Sequence, residues 1–224
     1  MKKMLRVMAP VLAAVMLAVW LLSGVIYLTG TSAPLLTALM RHFSPPEISL
    51  LPESEYAPLG RMTADYLAGR TEVFQHVFEV DDVVYEAFQP HEQAHMDDVQ
   101  GLFRLCLTVN LCALALMIPC GVYALRDVAR RRIMKRSVLV IMGLIVLLAL
   151  AACLFFEELF ILFHRIAFTN ELWILHPETD LLIRLMPTGF FMTFAGLIGG
   201  AWLVLMGLAA LALHQRKDNR HDLH

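Results

Sequence analysis

Apolar and polar residues are not evenly interleaved along this chain; they come in blocks. Four blocks are almost free of charge: "VMAPVLAAVMLAVWLLSGVIYL", "GLFRLCLTVNLCALALMIPCGVYAL", "SVLVIMGLIVLLALAACLFF" with an apolar extension to Phe163, and "GFFMTFAGLIGGAWLVLMGLAALAL". A helix needs roughly 20 apolar residues to cross a bilayer core. The pattern therefore predicts an all-α membrane protein with four transmembrane helices, over 7–28, 101–125, 137–160 and 189–213.

The polar blocks between them differ in character. Residues 29–100 are too polar to cross a membrane and too few for a large core of their own. "SPPEISLLPESEYAPLG" reads as irregular, "PLGRMTADYLAGR" as a short helix ended by Gly69, and "TEVFQHVFEVDDVVYEAF" as short mixed elements. Pro90 suits the first turn of a helix, so one is expected to start near His91 and run into the second span. Residues 164–188 contain Trp173 and many apolar side chains, which predicts a loop lying in the membrane interface. Asn110, inside the second span, is expected to bond across helices. Gly196 and Gly200 form a small-xxx-small pair, which predicts close packing in the bundle.

Composition agrees: 58% of the residues are hydrophobic, against roughly 45–50% in a soluble domain. A net charge of −2 gives no basis for a nucleic-acid partner. Local charge is more informative, because lysine and arginine mark cytoplasmic loops. Residues 126–136 contain six basic residues and one acid, the N-terminus has Lys2, Lys3 and Arg6, and the tail has Arg216, Lys217 and Arg220. Residues 29–100 contain twelve acids and only Arg41, Arg61 and Arg70 as cations. Both termini are thus expected in the cytoplasm, with 29–100 and 164–188 outside. The first apolar block is longer than the roughly 7–15 residues of a signal-peptide core, which predicts a retained helix. Cys106, Cys112, Cys120 and Cys153 all fall in predicted spans, so they are expected to pack as small apolar residues rather than pair.

Candidate chemistry gathers where the blocks meet. His95 directly precedes the second span and His164 directly follows the third. Those spans run in opposite directions, so both histidines belong at one membrane level, on the outer face. Asp98, three residues after His95, shares its helix face and can hold the imidazole in one tautomer. Glu157 lies two turns before His164, and a carboxylate at the end of an apolar helix is a functional candidate.

From the residues alone, three readings stay open. His91-Glu92-Gln93-Ala94-His95 matches the H-E-x-x-H pattern of zinc proteases, with Glu92 as base and His164, Glu157 or Asp180 as third ligand. Against it, the motif stands at the very start of a helix. The second reading is metal-free acyl transfer, with His95 and His164 as general base and acid around a carbonyl and Arg184 against a lipid phosphate or an oxyanion. A non-enzymatic membrane scaffold, the third, explains the helices but not the paired histidines.

"EQAHMDDV", through Glu92, His95, Met96, Asp98 and Val99, resembles an E-x-x-H-M-x-D-V stretch found in a family of bacterial four-helix membrane proteins. "FHRIAFTNELWILHPETDLLIRLMPTGFF" resembles that family's second signature, at His164, Phe168, Asn170, Trp173, Pro177, Asp180, Leu182, Ile183, Pro187, Phe190 and Phe191. The family is the lipoprotein intramolecular transacylases. The resemblance implies transfer of the sn-2 acyl chain of a diacylglyceryl lipoprotein to the α-amino group of its own N-terminal cysteine, giving a lyso-form lipoprotein. It implies His95 and His164 as the catalytic pair. Asp98, Glu92, Asn170, Asp180 and Glu157 are then expected in supporting roles, and Trp173, Arg184 and Phe168 against the substrate. Diacylated lipoproteins and membrane lipids are the implied partners, with no metal and no cofactor. The implied place is the bacterial cytoplasmic membrane, with the site on its extracytoplasmic face. His91 has no counterpart in the family pattern, so the zinc-like match reads as coincidence. Nothing in the sequence sets an oligomeric state.

Overall fold

The computed structural model describes residues 2–215, without the side chains of Lys2, Ala152, Cys153 and Gln215. The tail cations Arg216, Lys217 and Arg220 and the packing of Cys153 therefore lie outside the described residues. In chain order the elements are α1 (Lys2–Gly30), α2 (Ala33–Phe43), α3 (Pro46–Ser49), a 3-10 turn (Glu53–Glu55), α4 (Tyr56–Leu67), β1 (Val77–Val80), β2 (Val83–Glu86), α5 (Pro90–Leu125), α6 (Val128–Leu154), α7 (Phe156–Ala167), α8 (Leu181–Leu185) and α9 (Thr188–Gln215). Four helices are long and apolar enough to cross a membrane: Lys3–Gly30, Pro90–Leu125, Val128–Ala151 and Thr188–His214. These are the four blocks seen in the sequence. Two compact units are formed from interleaved pieces of the chain.

One unit comprises the chain up to Val25, Leu107–Cys153 and the chain from Ile198. Ala13, Ala14, Ala18, Ala124 and Ala210 pack there around Trp202, Met206, Met134 and Val138. Lipid tails are as apolar as leucine, so close packing of small residues and a few polar bonds must hold such helices together. Asn110 supplies two of those bonds, its Nδ2 donating to the Trp20 carbonyl at 2.7 Å and to Ser23 Oγ at 3.0 Å. Trp202 Nε1 donates to the Ala18 carbonyl at 2.8 Å. The predicted glycine seam is not used: a Cβ placed on Gly196 or Gly200 would meet nothing within 4 Å. Alanines make the close approach instead.

The other unit comprises Ile26–Cys106 and Leu154–Leu197. Here the stretch read as irregular is ordered. Pro34 and Pro46 sit in the first turns of α2 and α3, where their fixed φ favours the helix and their missing N–H costs nothing. Tyr56 opens α4, and its hydroxyl lies 2.6 Å from Ser49 Oγ and donates to the Ser44 carbonyl. Gly69, at φ 72°, ends α4 in the left-handed region as expected. The ambiguous stretch after it resolves into a hairpin, in which Val77 pairs with Glu86 and Val80 with Val83. Asp81 and Asp82, at φ 51° and 63°, make the two-residue turn that matches strand twist. Residues 29–100 have no independent core. Leu36, Met40, Tyr56, Leu59, Tyr66 and Phe74 bury themselves against Leu181, Leu182, Leu185 and Phe190 from the second polar block.

Two features of the long helices position the site. The 36 residues of α5 reach about 54 Å at 1.5 Å per residue. That is well beyond the ~30 Å of a hydrocarbon core, so the first turns, with Glu92, His95, Asp97 and Asp98, project past the apolar stretch. The predicted third span of 137–160 is broken. α6 ends at Leu154 and α7 begins at Phe156, with Phe155 between them at φ −127° and ψ 39°. Glu157 and Glu158 fall in the first turn of α7, where the helix dipole favours acids. His164 thus rides on a short separate helix rather than on the end of a span.

Candidate active site

His95 lies on α5, two turns in from Pro90, and His164 on the last turn of α7. Both are buried, with 7% and 8% of their surface exposed. Their ring centroids are 6.2 Å apart and the rings are tilted by 31°, within the roughly 4.5–7 Å of neighbouring aromatic rings, so both imidazoles serve one small region. An aromatic wall surrounds them: Phe168 packs edge-on against His95 at 5.1 Å. Phe160, Phe163, Phe168 and Trp173 lie 4.2, 5.3, 5.5 and 5.1 Å from the His164 ring.

The hydrogen bonds distinguish the two rings. Nδ1 of His164 lies 2.7 Å from the Phe160 carbonyl. A carbonyl only accepts, so this nitrogen carries the proton and Nε2 of the neutral ring is left with a free lone pair. Burial holds the His164 pKa below the ordinary imidazole value, and the bond to Phe160 opposes that without cancelling it. His95 has no such partner: its Nδ1 is buried and makes no hydrogen bond. A buried polar atom left open in this way is rare and calls for an explanation.

The supporting residues fall into three sets. Asp98 makes no hydrogen bond to Nδ1 of His95. Its Oδ2 accepts from Asn170 Nδ2 at 2.8 Å; Asn170 Oδ1 accepts from the Leu172 N–H, and its carbonyl accepts from Trp173 Nε1 at 3.0 Å. Asp98 therefore ties down the loop that carries Trp173, whose ring lies against that of His164.

Glu92 is fully buried. One oxygen accepts from the Gln89 N–H and the other from the Leu182 N–H, both at 2.7 Å. The first is the reciprocal half of a capping box on α5; the second ties α8 to the same helix end. Asp180 is also buried and accepts from the His176 N–H at 2.8 Å, Thr179 Oγ1 at 2.7 Å and His91 Nε2 at 3.2 Å. Burial alone would raise its pKa, but these three donors outweigh it and hold the carboxyl below the usual range. Glu92 and Asp180 are thus clamps on the second polar block.

The remaining residues stand apart. Glu157 is exposed and does not share the buried setting of His164, because the break at Phe155 places it at the free start of α7. Arg184, on α8, has a buried Nε without a partner. His91 faces Asp180 while His95 faces His164 and Phe168, so the H-E-x-x-H pair does not converge. Among the described residues, no three His, Cys, Asp or Glu side chains are placed to hold one metal ion. Sequence reasoning missed Phe160 and Phe163. The i−4 spacing of Phe160 was readable, but which carbonyl would fix a tautomer was not.

The family model described as lipoprotein intramolecular transacylase Lit matches residues 11–191 of this chain. No curated protein sequence matches it. Among solved structures, the lipoprotein intramolecular transacylase Lit from Bacillus cereus superposes with a TM-score of 0.76 at 18% identity, covering 96% of this chain and 98% of that one. Two variants of that protein, with one histidine replaced by arginine or by alanine, give TM-scores of 0.73 and 0.72 at 16% identity. Each covers 96% of this chain, and 94% and 96% of its own length. At these identities the superpositions speak for the fold, and the family model speaks for membership.

Proposed function

This chain belongs to the lipoprotein intramolecular transacylase family and is an acyltransferase, and from that premise we propose that it moves the sn-2 acyl chain of a diacylglyceryl lipoprotein onto the α-amino group of the same N-terminal cysteine. The observation that carries this reading is the pair of buried imidazoles 6.2 Å apart inside an aromatic wall. His164 Nε2, bare because Nδ1 serves the Phe160 carbonyl, accepts the amine proton as the nitrogen attacks the ester carbonyl. His95, neutral in its buried site, donates a hydrogen bond to the oxyanion that forms. The protonated His164 then delivers its proton to the departing glyceryl oxygen. A C–N bond forms, a C–O bond breaks, and one proton passes from nitrogen to oxygen, so the books balance without a cofactor. Nucleophile and ester sit on one molecule, and positioning supplies much of the rate. Phe168 and Trp173 offer the apolar contact for the acyl chain and glyceryl group. We place the site on the extracytoplasmic face of a bacterial cytoplasmic membrane. The twelve acids of residues 29–100 against the six bases of 126–136 support that side, and so does the projection of α5.

The test uses the purified full chain with a synthetic diacylated lipopeptide and an isotope-labelled phospholipid present in excess. Mass spectrometry should find one acyl chain moved from oxygen to nitrogen at unchanged total mass and without label. Release of free fatty acid, or label on the product, would show hydrolysis or an intermolecular donor and overturn the reading.

A further inference from the structure

Away from the histidines, in the unit built from the spans, a cavity of about 270 Å3 is lined by Arg6, Tyr123, Asp127, Ala129, Arg130 and Ile133. Three stretches meet there: the start of α1, the last turn of α5 and the first turns of α6. The Arg130 guanidinium lies over the Tyr123 ring, 3.8 Å from its centroid, and its side chain is only 17% exposed. Stacking fixes the plane of the fork and leaves its edges free. Nε stands 3.7 Å from Asp127 Oδ1, beyond hydrogen-bond range. Asp127 Oδ1 also accepts from the Arg130 backbone N–H at 3.0 Å, capping α6. The cavity thus holds two arginines against one carboxylate, inside a segment that carries six bases to one acid.

Position narrows the ligand. Arg6 directly precedes the first apolar block, Tyr123 closes the second, and 127–133 stands just before the third. All belong at the headgroup level of one leaflet, where basic pockets between helices hold lipid phosphates. A planar arginine fork matches phosphate oxygens. The excess positive charge favours a net-negative headgroup over a zwitterionic one, since two guanidiniums face a single carboxylate.

We propose that this cavity binds the phosphate of an anionic phospholipid through Arg6 and Arg130, pinning the start of α1 to the α5–α6 turn. The inference is independent of the acyl-transfer reading. Its test is a native mass-spectrometry titration of the delipidated full chain with phosphatidylglycerol, phosphatidylcholine and inorganic phosphate in parallel. Phosphatidylglycerol should bind preferentially, and Arg6→Gln and Arg130→Gln should each weaken it about fivefold. Asp127→Asn should tighten it, because asparagine still caps the helix while the opposing charge is gone. Equal binding of both phospholipids, or no response to the arginine substitutions, overturns the proposal. Displacement of phosphatidylglycerol by inorganic phosphate at equal concentration overturns the lipid source in favour of a free anion. Should Arg130→Gln fail to fold, Arg6→Gln and Asp127→Asn, both on more exposed side chains, decide the matter between them by their opposite signs.

Discussion

In the unit formed by the spans, Asn110 reaches both the Trp20 carbonyl and Ser23, and Trp202 reaches the Ala18 carbonyl. In the unit that holds the histidines, Nδ1 of His95 and Nε of Arg184 are buried without a hydrogen bond, as are the hydroxyls of Ser44 and Thr63. Both units bury polar groups, and the difference lies in whether the protein itself completes them. A polar group kept in an apolar helix for architecture must be satisfied, since the surroundings offer no water. One left open costs folding energy and calls for an explanation; for His95, beside a second imidazole, a bound substrate supplies one. The clamps around the open groups, Glu92 and Asp180, are by contrast saturated with donors. At the site, an open His95 is held by satisfied supports.

The hardest test is removal of the two buried imidazoles. His95→Gln and His164→Gln should each lower acyl transfer by about 100- to 10,000-fold, the usual worth of general acid–base work, with folding and membrane insertion intact. The double variant should be little worse than either single one, because the pair acts as a unit. Mass spectrometry of the lipopeptide reads the outcome, and near-normal transfer in either single variant removes that residue from the mechanism.

A support should fail differently. Glu92→Ala strands the buried N–H of Leu182, at a stability cost on the order of 1–3 kcal/mol, uncaps α5 at Gln89 and loosens α8. Thermal unfolding in detergent should show the loss alongside partial activity. Full activity with unchanged stability would mean the clamp is idle.

The pH profile sharpens the assignment of His164. A base must be neutral, and burial lowers its pKa, so transfer should persist below the ordinary imidazole value of about 6.5 and fall only as pH drops through the lowered pKa. An acid limb at or above that ordinary value would point to a solvated group instead. The smallest effect belongs to the satisfied unit. Asn110→Leu should cost about 0.6 kcal/mol of stability, the average for such bonds between membrane helices, and leave transfer per folded molecule unchanged. A loss of transfer matching the histidine variants would erase the distinction between the two units.

Much of the architecture was legible because it depends on local composition. Four apolar blocks of spanning length could only become four long helices, and Pro90 and Gly69 marked a start and a stop through their own backbone limits. The hairpin was half-read, since two aspartates at positive φ are a weaker signal than Asn-Gly. The break at Phe155 was overlooked although Glu157 and Glu158 carried its signature, acids in a first helical turn after an apolar run.

The sequence by itself determined which residues could do chemistry, because ionisable groups at the ends of apolar blocks are costly and few. It also placed His95 and His164 at one level, since alternation of spans is a counting argument. Only the tertiary structure decided how those groups are wired. Asp98 serves Asn170, Glu92 serves the Leu182 N–H, and His164 leans on the Phe160 carbonyl. The partners of Asp98 and Glu92 lie 72 and 90 residues away along the chain. A hydrogen bond is short-ranged and directional, so its partner is set by the packing of distant elements and not by any pattern within one of them.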